Sequence, residues 1–394
     1  MKKETEVDVS CFSKELEWMI LLLQDQREQE EVIRQLPTDM DWTIFMELVR
    51  HHRVYPLVYT KLKEIDADGI PKFVIQSLGA YYKKNTFQML YLSAEMERVC
   101  KVFDENQIRS LQLKGPVLSK EIYGDLSLRT SKDLDILVPF VDVEKVEEVL
   151  KELGYEEEVE FSRVLNDWKW RHHHISYFHH EKKVQIEVHW KLSRGSIKEP
   201  DFEELWERRR LSTLTSYPIG ILGMEDLLLF LISHGARHGW FRLRWLKDIE
   251  LIVEKEVDWN KLSSLQKSYQ SKHLGLSLLL LNKLFMKRFP QGIHTSVSAR
   301  KVQKLAQQAI LFIGSMENLF DDSPPIEMKR ALQRYLFSIK STGEKWKYIA
   351  MMLSPSSRDA QALPLPQKFQ LFYYPLRPFI WCWRRLRNRF ETYG

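Results

Sequence analysis

Cysteine is scarce in this sequence, which excludes the class of small proteins held together by disulfides. The 394 residues include three cysteines, Cys11, Cys100 and Cys382. They are far apart and form no CxxC or Cys/His spacing of the kind that binds zinc. Unpaired cysteines fit a reducing compartment, so we expect a cytoplasmic protein.

The sequence also lacks a hydrophobic run long enough to cross a membrane. Its longest apolar runs, WMILLL and LSLLLL, are far shorter than the roughly 20 residues that a membrane-spanning helix needs. The opening residues, MKKETEVDVS, lead into no continuous apolar stretch with a cleavage site of small residues. We therefore expect no transmembrane segment and no secretory signal.

Neither sign of charge predominates. Lys and Arg number 59 against 54 Asp and Glu, a net charge of +5 that is too small to indicate a nucleic-acid partner. The hydrophobic content of 44% and charged content of 29% are typical of a folded globular protein. The length allows two or three domains.

The spacing of apolar residues divides the chain into four parts. Helical spacing dominates the start, short β-rich runs (DLDILVP and KVQIEVHW) surround a charged helical stretch ending at Gly154, and helical spacing then returns. We therefore predict an α+β fold, a small mixed β-sheet flanked by N-terminal and C-terminal all-helical regions. The predicted parts are an N-terminal helical region over 1–107, an α/β core over 108–215, a C-terminal helical domain over 216–352, and a linker with an aromatic and basic tail helix over 353–394.

Two aspartates stand one residue apart in the apolar run DLDILV. Residues i and i+2 of a strand share a face, so the side chains of Asp133 and Asp135 converge. Glu187 and His189 occupy the polar face of KVQIEVHW, and pairing of the two strands would bring three carboxylates together. A shared proton or a divalent cation relieves such a cluster, and Mg²⁺ prefers oxygen ligands. The alternative is that the aspartates lie on a solvated strand edge and Glu187 is simply exposed.

An ordered series of short motifs surrounds these acids. The motifs are Leu113-Lys114-Gly115, Tyr123-Gly124-Asp125, Arg129 through Val138, and Glu187-Val188-His189-Trp190. In this order they resemble the uncharacterised nucleotidyltransferases of the DNA polymerase beta-like superfamily. The resemblance covers most of residues 40–255.

The resemblance implies a chemistry for the acids. Asp133, Asp135 and Glu187 would be the catalytic residues and would bind one or two Mg²⁺ ions. The implied reaction moves a nucleoside monophosphate from a nucleoside triphosphate to a hydroxyl or phosphate of a small-molecule, peptide or protein acceptor. The residues expected to contact the nucleotide are Lys114, Gly115, Arg129 and His189.

One motif departs from the superfamily pattern. Gly115 is followed by Pro116 where the pattern has Gly or Ser, and proline has no N–H to donate to a phosphate. The 17 residues between Gly115 and Asp133 are also more than the superfamily usually has. We expect Lys114 to supply the missing contact as a point charge.

Two other functions remain open at this point. Chains of the family can accompany biosynthetic genes for ribosomal peptides such as lasso peptides, so the same metal site could hold a nucleotide-sugar and transfer its sugar to a peptide. Alternatively, the chain is a non-catalytic, antitoxin-like binding module whose altered glycine loop no longer holds a triphosphate.

Several charged residues near the motifs are candidates for the site. Arg129 either clamps phosphates with its fork of donors or pairs with Asp125. His234 and His238 are four residues apart on a predicted helix and lack the further ligands of a zinc site. We expect them, with Arg237, to line the helical wall that faces the strands, or to form hydrogen bonds within the interface.

Two segments near the motifs carry unusual compositions. The histidine-rich run RHHHISYFHH, residues 171–180, is predicted to be a solvated loop because no carboxylate or cysteine accompanies it at ligand spacing. The tail FIWCWRRLRNRF combines aromatics with arginines and is predicted to dock on the helical domain. Peripheral contact with a membrane surface is the second interpretation of the tail and nucleic acid the third.

Overall fold

A computed structural model describes most of the chain. The described ranges are 7–24, 36–37, 39–65, 69–158, 165–194, 199–255, 257–265, 272–289, 300–320 and 324–391. Helices surround a single mixed β-sheet, which confirms the predicted α+β class. No helix of the described ranges is long and apolar enough to cross a membrane.

The described part of the N-terminal region is helical, as its apolar spacing predicts. Its helices are α1 (Lys14–Leu23), α2 (Trp42–His51), α3 (Tyr55–Ile65) and α4 (Lys72–Glu105). Ser13 and Asp41 cap α1 and α2 by accepting backbone N–H groups of the first turn, the usual role of these residues at helix starts. The long α4 then leads directly to the sheet.

The sheet has seven strands, and its acid-bearing strand lies in the interior. The strands are β1 (Leu111–Gln112), β2 (Asp133–Leu137), β3 (Glu156–Glu157), β4 (His174–His179), β5 (Val184–His189), β6 (Arg210–Ser212) and β7 (Ile219–Ile221). Their order across the sheet is β3-β4-β5-β2-β1-β7-β6. The β2/β5 and β1/β7 pairs are parallel and the others antiparallel.

Shorter helices connect these strands. Between β1 and β2 the chain forms α5 (Pro116–Leu118), a π-helical turn (Ser119–Tyr123) and a 3₁₀ turn (Leu126–Leu128). The later connections hold α6 (Val143–Glu152), α7 (Trp168–Arg171) and α8 (Phe202–Glu207). Helix α6 is the charged helical stretch predicted from the sequence, and Gly154 after it has the positive φ of a helix stop.

Helices follow the sheet to the end of the described chain. They are α9 (Met224–Arg237), α10 (Leu243–Val253), α11 (Trp259–Leu265), α12 (Lys272–Phe285), α13 (Arg300–Gly314), α14 (Ile326–Ile339), α15 (Thr342–Leu353), α16 (Ser357–Ala362) and α17 (Tyr373–Glu391). Buried residues of the first helices, such as Trp18 and Phe45, share one apolar cluster with Ile249 and Ile310 of the later ones. A second cluster joins α4 to the sheet through Met96 and Ile186, among others.

The tail docks on the short helix that precedes it. Arg377 and Arg384 of α17 both donate to the buried carboxylate of Asp359, and Tyr373 and Ile380 pack in the same apolar cluster as Ala360. Residues 353–367, predicted as a linker, therefore contain a packed helix. Membrane contact by the tail stays a prediction.

A buried carboxylate fastens α4 to the edge of the sheet. Glu95 accepts hydrogen bonds from Arg98, from the Tyr155 hydroxyl at 2.7 Å and from Lys182 at 3.0 Å. Burial alone would raise the pKa of Glu95, but these donors outweigh it and lower the pKa to about 2. A carboxyl with a lowered pKa stabilises the fold above its unfolded pKa and loses that contribution as the pH falls.

We expect Glu95→Gln to lower the free energy of unfolding at pH 7 by about 2 kcal/mol, because hydrogen bonds to a buried charge are lost. The difference from wild type should shrink between pH 4.5 and 2, where Glu95 itself becomes protonated. Urea unfolding at several pH values measures both effects. Glu97→Gln, which removes an exposed pair with Lys101 on the same helix, is the matched control, and an equal effect of both variants would contradict this role of Glu95.

Candidate active site

The structure brings the three predicted acids together on neighbouring strands. β2 and β5 pair in parallel with Asp133 opposite Gln185 and Asp135 opposite Glu187. Because side chains alternate along a strand, the three carboxylates share one face of the sheet. The strand pairing expected from the sequence is confirmed.

The acids do not lie on a solvated edge. β2 is an inner strand between β5 and β1, and Asp135 is fully buried, with 0% of its surface exposed. Asp133 and Glu187 are partly buried. The alternative of a solvated strand edge is therefore wrong, and this buried charge needs compensation.

Two cationic or polar side chains compensate Asp135. The Lys114 ammonium lies 2.8 Å from Oδ1 of Asp135, and Nε2 of His189 lies 3.2 Å from the same oxygen. The second oxygen, Oδ2, is buried and has no hydrogen-bond partner among the described residues. An unsatisfied carboxylate oxygen is costly to bury, and it is available to a ligand.

The pKa values of the two aspartates are shifted in opposite directions. Burial would raise the pKa of Asp135, but Lys114 and the hydrogen bond with His189 outweigh it and hold that pKa well below its ordinary value. Burial and the neighbouring charge of Asp135 raise the pKa of Asp133. When two like charges are held close together, the pKa values of the two groups move apart in this way.

His189 bridges two of the acids. Its Nε2 lies 3.2 Å from Asp135 and 3.3 Å from Oε2 of Glu187. Burial lowers the pKa of His189, but hydrogen bonding to both carboxylates raises it overall. For Glu187, burial is outweighed by the hydrogen bond with His189, and its pKa is lowered. His189 thus orients both acids.

The glycine loop runs beside the acids despite its proline. The N–H of Leu113 donates to the carbonyl of Asp135 at 2.9 Å, which holds Lys114 and Gly115 against β2. Gly115 has φ +83°, a conformation that favours glycine, and a Cβ there would lie 3.5 Å from the carbonyl of Asp133. Proline then occupies the first position of α5, where its missing N–H costs nothing.

Arg129 pairs with an acid that the sequence did not suggest. Its guanidinium donates to both carboxylate oxygens of Asp248, at 2.9 and 3.0 Å, and both side chains are buried. The Tyr123 hydroxyl donates to the same carboxylate at 2.7 Å. The alternative prediction, that Arg129 pairs with Asp125, is wrong. The Asp125 carboxylate instead accepts hydrogen bonds from the backbone N–H and the hydroxyl of Ser127. A direct role for Arg129 on the nucleotide stays a prediction.

A cavity of about 510 Å³ opens onto the carboxylates. Its other walls carry, among other arginines, Arg53 after α2, and Arg242 and Arg244 at the start of α10, none of which the sequence suggested. Arg244 donates to the carbonyl and the hydroxyl of Thr130, in the loop that enters β2. Arg53, Arg242 and Arg244 therefore place cations in the cavity that Asp133 also lines.

These arginines repel one another. Burial and the charge of Arg242 lower the pKa of Arg53 to about 10. Burial and the charges of Arg129 and Arg53 lower the pKa of Arg244 to about 9. Cations held together in a partly dry cavity form a site for an anion, because an anion removes the repulsion.

A helical wall closes the cavity opposite the strands. His234, Arg237 and His238 line the same cavity as the acids, as expected, together with Trp245 and Phe320. The His238 ring lies 4.9 Å from the Trp245 ring and 4.6 Å from the Phe320 ring. Burial lowers the pKa of both histidines well below the ordinary value, so Arg237 carries the positive charge of this wall at neutral pH.

The histidine-rich run is a strand, contrary to the predicted solvated loop. Residues His174–His179 form β4, paired antiparallel with β5. Ile175 and Tyr177 are buried, and this alternation was the signal that the surrounding histidines obscured. His173 and His174 line the cavity beside His189, so a segment taken to be outside the site belongs to it.

The acids fit a divalent cation. Oxygen atoms of three carboxylates on one face, one of them buried without a partner, match the preference of Mg²⁺ and similar ions for oxygen ligands. Ligand atoms of Asp135, Glu187 and His189 lie within 4.8 Å of one another. The residues able to hold such an ion are Asp133, Asp135 and Glu187, with His189 beside them.

Comparison with known proteins places this site in a family. A family model described as uncharacterised nucleotidyltransferase matches residues 38–286, a range that holds every strand of the sheet and the whole acid cluster. No curated protein and no solved structure matches the chain. The matched range exceeds half of the 394 residues. The chain therefore belongs to the uncharacterised nucleotidyltransferase family and is a transferase of nucleotidyl groups.

Proposed function

We propose that this protein transfers a nucleoside monophosphate from a nucleoside triphosphate to an acceptor hydroxyl or phosphate, using Mg²⁺ bound by Asp133, Asp135 and Glu187. One observation carries the proposal: three carboxylates and a group of mutually repelling arginines face the same cavity. Carboxylates suit a metal ion, and arginines suit the phosphates that the ion would accompany. A nucleoside triphosphate with its bound metal ion carries both the positive charge that suits the carboxylates and the negative charge that suits the arginines.

The arginines would hold the leaving part of the donor. Arg244 lies on the Asp133 side of the acid cluster, since it bonds to Thr130 in the loop that enters β2, and Arg53 lines the same cavity. Their guanidinium groups can donate to the β- and γ-phosphates, whose charge grows as pyrophosphate leaves. Lys114 can add a further positive charge.

The acids would act on the α-phosphate side. An acceptor oxygen forms a bond to the α-phosphorus, the bond from that phosphorus to the β-bridging oxygen breaks, and pyrophosphate leaves with the electron pair. The acceptor proton passes to the Glu187 carboxylate, whose lowered pKa keeps it ionised at neutral pH. Bound Mg²⁺ would supply charge neutralisation and a lowered hydroxyl pKa. His189 holds Glu187 in position.

Release of pyrophosphate tests this reaction without knowledge of the acceptor, because water can replace the acceptor slowly. The protein is incubated with each nucleoside triphosphate labelled at the α-phosphate, with and without Mg²⁺. We expect labelled monophosphate and pyrophosphate in equal amounts, only with Mg²⁺. Release of orthophosphate, or transfer of a hexose mass from nucleotide-sugars to a peptide acceptor without nucleotidyl transfer, would contradict the proposal.

We expect Arg53→Gln to weaken binding of a Mg²⁺–triphosphate by about 10- to 100-fold, because hydrogen bonds to a charged group contribute about 1.5–3 kcal/mol each. The Tm of the variant should be no lower than that of wild type, since a partly buried cation repelled by Arg242 is removed. Titration calorimetry with a non-hydrolysable triphosphate measures the affinity. Arg50→Gln, on the exposed side of α2, is the control, and unchanged affinity in Arg53→Gln would exclude Arg53 from the phosphate site.

A further inference from the structure

Three histidines of two neighbouring strands come together at one end of the carboxylate cluster. His174 of β4 lies directly opposite His189 of β5 in the strand register. His173 precedes β4, and its ring centroid lies 4.4 Å from that of His174 and 5.6 Å from that of His189. One nitrogen of each ring lies within 4.8 Å of the other two. All three rings line the cavity.

The spacing within this cluster suits a small metal ion. Nε2 of His173 and Nδ1 of His174 are 3.3 Å apart. Two imidazole nitrogens bound to one tetrahedral zinc ion at about 2.0–2.1 Å lie roughly 3.3 Å apart. The pair therefore already has the separation of two ligands, and only the third ring needs to approach.

His189 is oriented as a metal-binding histidine usually is. Its Nε2 faces Asp135 and Glu187 at 3.2 and 3.3 Å. Its other nitrogen, Nδ1, is buried and has no hydrogen-bond partner among the described residues. A histidine that binds a metal typically donates its second ring N–H to a carboxylate, which fixes the tautomer and leaves the first nitrogen for the ion.

We propose that His173, His174 and His189 form a second metal site, which takes a transition-metal ion of the Zn²⁺ class and is distinct from the carboxylate site for Mg²⁺. Imidazole nitrogens suit zinc and similar ions, whereas Mg²⁺ prefers oxygen. Three protein ligands leave a coordination position for water or a substrate oxygen. The site does not depend on the proposed nucleotidyl transfer, because its three ligands are imidazoles and the carboxylates only orient His189.

Binding of Zn²⁺ and Co²⁺ to the full chain tests this site directly. Titration calorimetry with Zn²⁺ should give one ion per chain in the presence of excess Mg²⁺, and bound Co²⁺ should show the intense visible absorption of a tetrahedral site. His174→Ala and His173→Ala should each weaken Zn²⁺ binding by more than the roughly 10- to 100-fold that loss of an outer-shell partner costs. Glu187→Gln, which removes such a partner, should fall within that range.

Two further variants test whether other histidines bind the Zn²⁺ ion. A third variant tests whether the histidine site is separate from the carboxylate site. His180→Ala changes an exposed histidine of the same hairpin, and His234→Ala changes one of the helical wall; both should bind Zn²⁺ like wild type. Asp133→Asn should keep the Co²⁺ absorption even where it loses Mg²⁺–nucleotide binding, so failure of one site is separable from failure of the other. Zn²⁺ binding that survives His174→Ala, or that is lost in Asp133→Asn or His234→Ala alone, would overturn the proposal.

Discussion

Asp135→Asn is expected to lower the rate of nucleotidyl transfer by roughly 10³-fold or more. The substitution keeps the size of the side chain but removes the charge at the most buried position of the acid cluster. Charge stabilisation by a bound metal contributes several kcal/mol, and each 1.36 kcal/mol changes the rate about tenfold. Pyrophosphate release under saturating triphosphate and Mg²⁺ measures the effect.

The same experiment needs a control variant at an acid outside the cluster and evidence that Asp135→Asn is folded. Glu144→Gln replaces an exposed carboxylate shortly after the acid-bearing strand and should leave the rate unchanged. Circular dichroism should show that Asp135→Asn keeps its secondary structure, because Lys114, its ion-pair partner, retains some contact with solvent. Turnover of folded Asp135→Asn at the wild-type rate would exclude this cluster as the active site.

Arg129→Met is expected to lower the free energy of unfolding by about 3–5 kcal/mol. The substitution leaves the Asp248 carboxylate buried without its bidentate partner, and removing one member of a buried ion pair has this cost. Within the described ranges, only the Tyr123 hydroxyl would still donate to it. Urea unfolding of the purified variant measures the loss.

A second substitution separates the charge effect from a packing effect. The double variant Arg129→Met/Asp248→Leu removes both charges and should recover most of the lost stability, since apolar pairs of similar volume often replace buried ion pairs without loss. Arg109→Gln, which removes an exposed pair with Glu203, should change the stability little. An Arg129→Met variant as stable as wild type would show that the Arg129–Asp248 pair does not fasten α10 to the loop that enters β2.

The acid cluster was predictable because its determinants are local. The alternation of DLDILV and KVQIEVHW fixes which side chains share a face of each strand. Alternation therefore predicted the shared face of Asp133 and Asp135, and the pairing of β2 with β5 brings Glu187 to that face. The helical nature of the flanking regions followed from apolar periodicity in the same way.

The cationic side of the cavity was not predictable. Arg53 and Arg244 reach Asp133 from helices far away in sequence, and no local pattern in the chain specifies how those helices pack on the sheet. Asp248, the partner of Arg129, is 119 residues distant for the same reason. His173 and His174 were assigned to a solvated loop because no carboxylate or cysteine accompanies them at ligand spacing, whereas the buried Ile175 and Tyr177 decide the strand. The domain boundaries stay predictions.

Thermal unfolding with a panel of nucleotides tests the central claim most directly. Wild type and Asp133→Asn are heated with each nucleoside triphosphate and with nucleotide-sugars, with and without Mg²⁺, because a ligand that binds only the folded state raises the Tm. The proposed site predicts that at least one triphosphate raises the Tm of wild type by a few degrees only when Mg²⁺ is present, and that Asp133→Asn loses this shift. A shift that needs no Mg²⁺ and survives Asp133→Asn, or no shift with any triphosphate, would contradict it.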